Sequence, residues 1–167
     1  MLSLSLMTFL PRSANAASLS AKGLKVLGSA LSCLQPEPIG QLVIAIAYVA
    51  GDDASRKDAE ALAALMDGGL RAGRAVFQPK LVDTASLGGG GYAAILAAAG
   101  ADGERLMAAS RSARVLCVTA DFAAVQAGRC VMAIRAEPRV DVLVNHAAAA
   151  ATGVELAPAF LMMIREI

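Results

Sequence analysis

The chain has no tryptophan, and aromatic residues make up only 4% of it. Charged residues are also few, at 17%, and the formal net charge is +1 with basic and acidic residues spread along the whole sequence. A nucleic-acid-binding domain usually carries a basic patch or stripe, often with aromatic side chains on which bases stack. We therefore expect no nucleic-acid partner.

Residues suited to metal binding or hydrolysis are scarce as well. His146 is the only histidine, whereas a zinc site takes several nitrogen or sulfur ligands. Ser110 and Ser112 have no base at a recognised spacing, and Cys117 and Cys130 lie singly in apolar stretches. We expect no catalytic residues, no enzyme activity, no metal and no cofactor.

Four consecutive glycines occupy positions 88–91 and invite comparison with phosphate-binding loops. The Rossmann fingerprint needs a further glycine at the position of Ala93, and the P-loop needs a Gly-Lys-Ser/Thr sequence that the chain does not contain. We interpret residues 88–91 as a flexible connection.

Long apolar runs are missing too. Residues 2–10 form a short, mainly apolar run that Pro11 ends, whereas a transmembrane helix needs about 20 apolar residues. Ala14-Asn15-Ala16 has the small-x-small form of a signal-peptidase site, although no Lys or Arg precedes the apolar run. We predict a signal peptide at residues 1–16 and a single exported domain at residues 17–167, not itself transmembrane.

Apolar residues reach 57%, enough for one buried core in a chain of 167 residues. Leucines spaced by three and four predict an amphipathic helix over residues 19–34. Apolar runs and helical stretches then alternate, which is typical of a doubly wound sheet, and Pro79 marks an edge or a bulge. Pro138 separates two final apolar runs at hairpin distance. We predict a single three-layer α/β domain with a mostly parallel sheet and an antiparallel C-terminal edge hairpin.

The three cysteines, Cys33, Cys117 and Cys130, leave two alternatives open. An exported protein would contain one disulfide and one spare thiol, and Cys117 and Cys130 are the candidates if their strands are neighbours. The alternative is that all three are small buried apolar residues.

Acidic residues follow several predicted strands. Asp52, Asp53 and Asp121 stand where ligands of open α/β sheets bind, and also where a carboxylate caps the next helix. We favour capping, and keep Asp52 and Asp121 as a candidate ligand rim. Asn145 is similarly placed to cap a helix over residues 147–151, which Gly153 would end in the left-handed conformation.

Residues 24–164 resemble the YfiR/HmsC-like periplasmic proteins, most closely after Val115. Members of that family end in a strand similar to "VLTVSD", a short "FA…GG" turn, a second strand and a run similar to "V.F.VN…A…AGL..S..LL". The corresponding residues are 115–121, 122–123 with 127–128, 130–135, 142–145, 147–153 and 157–162. The aromatic "WP" of the family is replaced by Leu34-Gln35-Pro36, and this chain has fewer cysteines.

The resemblance implies a non-enzymatic periplasmic regulator of a membrane diguanylate cyclase, and thus a role in cyclic di-GMP signalling. The expected partner is an inner-membrane signalling protein, with a homodimer as a further expected assembly. By position, the first helix and its exit are the expected partner surface, which comprises Leu24, Leu27, Leu31, Leu34 and Pro36. The alternative is a periplasmic ligand-binding module similar to one lobe of an ABC-transporter substrate-binding protein.

Overall fold

The computed structural model describes residues 17–101 and 103–167. The signal peptide predicted for residues 1–16 lies outside them. The described residues contain the α-helices α1 (Ala21–Ser32), α2 (Asp53–Leu65), α3 (Glu104–Ala113), α4 (Phe122–Gln126), α5 (His146–Thr152) and α6 (Pro158–Leu161), and a 3₁₀ helix over Thr84–Gly89. The strands are β1 (Leu34–Gln35), β2 (Ile39–Tyr48), β3 (Leu70–Ala72), β4 (Arg74–Asp83), β5 (Ala94–Ala97), β6 (Leu116–Thr119), β7 (Met132–Arg135), β8 (Asp141–Val144), β9 (Glu155–Leu156) and β10 (Arg165–Glu166).

Eight strands form one sheet in the order β10-β8-β7-β6-β5-β2-β4-β3. The five neighbours β4, β2, β5, β6 and β7 are all parallel. From β2 the chain crosses to β4 on one side of β2, and from β4 it crosses back to β5 on the other side of β2. The direction of winding therefore reverses between β2 and β5. Because parallel crossovers are right-handed, this reversal places α2 on one face of the sheet and the 3₁₀ helix and α3 on the other. The predicted α/β fold with helices flanking a mostly parallel sheet is confirmed.

The predicted C-terminal hairpin is present. β7 and β8 pair antiparallel from Met132 opposite Val144 to Arg135 opposite Asp141. The two-residue strand β10, which the sequence pattern did not indicate, pairs in parallel with the outer side of β8. Pro79 pairs with Ile44 of β2 and lies beyond the part of β4 that β3 covers, where its missing N–H is tolerated.

The core lies on both faces of the central strands. Every residue of β5 and β6 is buried, as expected for strands covered on both sides. Helix α1 begins at the N-cap Ser20, whose hydroxyl accepts the Gly23 N–H at 3.1 Å, and buries its leucines. Gly28 allows α1 to approach the sheet closely, since a Cβ there would lie 2.4 Å from the carbonyl oxygen of Arg71 in β3.

Candidate partner-binding surface

The leucines predicted to form a partner surface are core residues instead. Leu24 is 3% exposed, and Leu27 and Leu31 are 0% exposed. Leu34 is half-buried and pairs with Leu156 between β1 and β9. Only Pro36 of that set is exposed. The prediction was wrong because the apolar stripe that makes α1 amphipathic is covered by the protein's own core.

Both candidate rim carboxylates cap helices. An Asp52 carboxylate oxygen accepts the Ser55 N–H at 3.1 Å at the start of α2. An Asp121 oxygen accepts the Ala123 N–H at 2.9 Å at the start of α4. Neither residue lines any of the cavities described below. The capping interpretation is confirmed. Asn145 also caps α5 as predicted, because its side-chain oxygen accepts the Ala148 N–H at 3.0 Å.

Cys117 and Cys130 form a disulfide, with their Cα atoms 5.3 Å apart. Cys117 lies in β6, and Cys130 precedes the parallel neighbour β7. Both are 0% exposed, whereas Cys33 is free and half-buried. The bridge therefore joins adjacent strands in the interior, and the one-disulfide alternative is confirmed.

An exposed apolar surface lies at the C-terminal end of the chain. Met162 is 88% exposed, Met163 is 76% exposed and Val140 is 49% exposed. All three line a cavity of ≈ 750 Å³, here termed the C-terminal groove. It is lined by Val26, Arg139, Val140, Asp141, Val142, Phe160, Met162, Met163, Ile164 and Arg165.

The methionines are exposed because of the local chain path. Helix α6 starts at Pro158 and lasts only four residues, too short to bury more than one side, and that side carries Phe160. After it, β10 pairs only with Leu143 and Val144 of β8. The outer edge of β8 at Asp141 and Val142 is thus left without a strand neighbour and forms one wall of the groove. An unpaired strand edge beside apolar side chains is a surface that another chain can occupy.

Charge at the groove is concentrated on arginine. Asp141 accepts hydrogen bonds from Arg165 Nε at 2.9 Å and Nη2 at 2.8 Å, and from Arg135 Nη2 at 3.0 Å. Both guanidinium groups also lie over the ring of Phe122, at 4.7 Å for Arg135 and 5.8 Å for Arg165. Arg139 is exposed and forms no ion pair within residues 17–101 and 103–167.

These contacts predict a pH dependence. The hydrogen bonds and charge of Arg165, with those of Arg135, lower the pKa of Asp141. A carboxylate with a lowered pKa stabilises the fold above its unfolded pKa of about 3.9, and this stabilisation is lost as the pH falls through the folded value. We expect Asp141→Asn to have a lower free energy of unfolding than wild type, by an amount that is constant between pH 7 and about pH 5. Below about pH 4 the difference between the two free energies should shrink. Urea unfolding of both proteins across that range measures it, and a difference independent of pH would contradict the assignment.

The sequence contains one indication of the groove. Residues 161–164 are four consecutive apolar residues that begin at the last residue of the proline-initiated helix α6 and continue past its end. Such a run is ambiguous without tertiary structure, because it also suits a buried strand.

No protein-family model matches this chain, and none of the curated proteins matches it. The resemblance to YfiR/HmsC-like proteins rests on the sequence elements quoted for it, most of which follow Val115. Within the described ranges, no helix has the length and hydropathy to cross a bilayer. No group of three or more metal-ligating side chains is found among the same residues.

Proposed function

We propose that the protein is a non-enzymatic periplasmic regulator that binds an inner-membrane signalling protein through the C-terminal groove. The proposal follows the resemblance to repressors of a membrane diguanylate cyclase. The observation that carries it is the pair of exposed methionines beside the uncovered edge of β8. Methionine and arginine are enriched at protein interfaces, and methionine side chains adapt to the shape of a partner.

The disulfide supports the proposed location. Bridges of this kind form and persist in oxidising compartments such as the bacterial periplasm, and are rare in the cytosol. Cys117 and Cys130 are bonded and fully buried. An exported chain with the predicted signal peptide would acquire this bond on entering the periplasm.

The groove defines the chemistry of the segment it would bind. Its walls are apolar at Val140, Val142 and Phe160. Among the residues that the structure describes, Arg139 at its rim forms no ion pair, whereas Arg135 and Arg165 share the carboxylate of Asp141. An apolar segment of the partner's periplasmic portion with one carboxylate matches both features. Charge complementarity of this type guides association and orientation.

We expect Met162→Glu, Met163→Glu to reduce capture of the partner at least tenfold, because a carboxylate would have to be buried in an apolar contact. The tagged protein is incubated with detergent-solubilised envelopes, and the bound proteins are identified by mass spectrometry. Stoichiometric recovery of an inner-membrane protein with a cytoplasmic cyclase or other signalling domain would support the proposal.

Leu65→Glu provides the matched control. Leu65 is another large apolar side chain, 53% exposed, on α2 and outside the groove. It should capture the partner as well as wild type does. Equal capture by the methionine variant, or recovery of no signalling protein by wild type, would contradict the proposal.

A further inference from the structure

The glycine loop at residues 88–91 borders a second cavity, of ≈ 440 Å³, here termed the tyrosine cavity. The chain has only two tyrosines, and both Tyr48 and Tyr92 line it. It also contains Lys80 and three of the four loop glycines, and it shares no residue with the C-terminal groove. Volumes of this size accommodate small molecules.

The two aromatic side chains are held from different parts of the fold. Tyr48 ends β2, and the Arg56 guanidinium from α2 lies 5.7 Å from the centre of its ring. The Tyr92 hydroxyl donates to the carbonyl oxygen of Leu87 in the 3₁₀ helix. Burial raises the pKa of Tyr92, so its hydroxyl remains a donor at neutral pH. Each tyrosine thus makes a contact with a residue outside the cavity that it lines.

The cavity carries a free cation. Lys80 is exposed and forms no ion pair with any residue that the structure describes. Asp83 also lines the cavity, and its carboxylate is directed at the start of the 3₁₀ helix, where Oδ1 accepts the Ala85 N–H at 3.0 Å and the Thr84 hydroxyl at 3.5 Å. An anion in the cavity would find the ammonium group of Lys80 available.

Two of the four glycines here are not required by the fold. Gly90 and Gly91 have φ of +67° and +84°, a conformation that favours glycine. At Gly88 and Gly89 the backbone is ordinary and a Cβ would meet nothing within 4 Å, although glycine in a helical segment costs about 0.5–1 kcal/mol relative to alanine. Gly89 lines the tyrosine cavity and Gly88 does not. A missing side chain at Gly89 leaves the backbone open to close approach by a ligand.

We propose that the tyrosine cavity binds a small aromatic anion. Its ring packs against Tyr48 and Tyr92, its negative group pairs with Lys80, and its edge approaches the backbone at Gly89. This inference is independent of the partner-binding proposal, since the two surfaces have no residue in common.

Three probes of similar size test the assignment by NMR titration of the full exported chain: benzoate, cyclohexanecarboxylate and benzylammonium. We expect benzoate to shift the amide signals of residues 89–92 saturably in the millimolar range. Cyclohexanecarboxylate lacks the aromatic ring and benzylammonium lacks the negative charge, so both should bind at least tenfold more weakly. Absence of saturation by benzoate at about 10 mM, or equal affinity for all three probes, would overturn the proposal.

Two pairs of variants locate the site. Lys80→Gln should weaken benzoate binding about tenfold, whereas Lys57→Gln, on the exposed face of α2, should leave it unchanged. Gly89→Ala should weaken binding severalfold while folding at least as stably as wild type, and Gly88→Ala should fold equally well and bind normally. Loss of binding in Gly88→Ala but not in Gly89→Ala would contradict the placement of the ligand.

Discussion

Replacement of Leu27 by alanine is expected to lower the free energy of unfolding by about 2–5 kcal/mol. Leu27 is 0% exposed and lies in the core with Leu24 and Leu31 of the same helix. The substitution removes buried apolar contacts and leaves a cavity that a close-packed interior fills only in part. Equilibrium unfolding in urea, monitored by circular dichroism, measures the change.

The comparison with Lys25→Ala makes the result specific. Lys25 lies on the exposed side of α1, where a substitution typically changes the stability by no more than about 0.5 kcal/mol. If the leucine stripe were a partner surface, Leu27→Ala would leave the stability unchanged and reduce only the capture of a partner. That outcome would show the placement of α1 to be wrong.

Removal of the disulfide should have the next largest effect. The bridge joins residues separated by 13 positions, and closing a loop of this length in the unfolded chain is worth about 3 kcal/mol in the chain-entropy model. For a domain of this size, that loss lowers the melting temperature by roughly 6–12 °C. We expect the double variant Cys117→Ser, Cys130→Ser to fold but to melt within that range below wild type.

The free cysteine supplies the control. Reduction with dithiothreitol should lower the melting temperature of wild type and of Cys33→Ser alike, because Cys33 takes no part in the bridge. The double variant should not respond to the reductant. An unchanged melting temperature in the double variant would refute a stabilising role for the bond.

The helix ends were predicted closely because their determinants are local. Asp52, Asp121 and Asn145 each accept an N–H only two or three residues ahead, so the capping residue and its target are both visible in a short segment. Gly153 ends α5 in the left-handed conformation for an equally local reason. The alternation of apolar runs with helical stretches likewise predicted the doubly wound sheet.

The candidate surfaces were predicted less well. The leucine stripe of α1 was correctly interpreted as a helix face but wrongly assigned to a partner, because periodicity does not tell which molecule covers a face. The exposure of Met162 and Met163 depends on the shortness of α6 and on where β10 stops along β8. Both are properties of packing between distant segments.

The sequence by itself determined the α/β class, the mostly parallel sheet, the hairpin around Pro138 and the capped helix starts. All of these follow from hydrophobic periodicity and from side-chain contacts with the nearest backbone groups. Only the tertiary structure decided that Cys117 pairs with Cys130, that the α1 leucines are buried, and that Tyr48 and Tyr92 line one cavity. The physical reason is that these relations depend on distances between residues far apart in the chain, which strand order and register establish and local patterns do not.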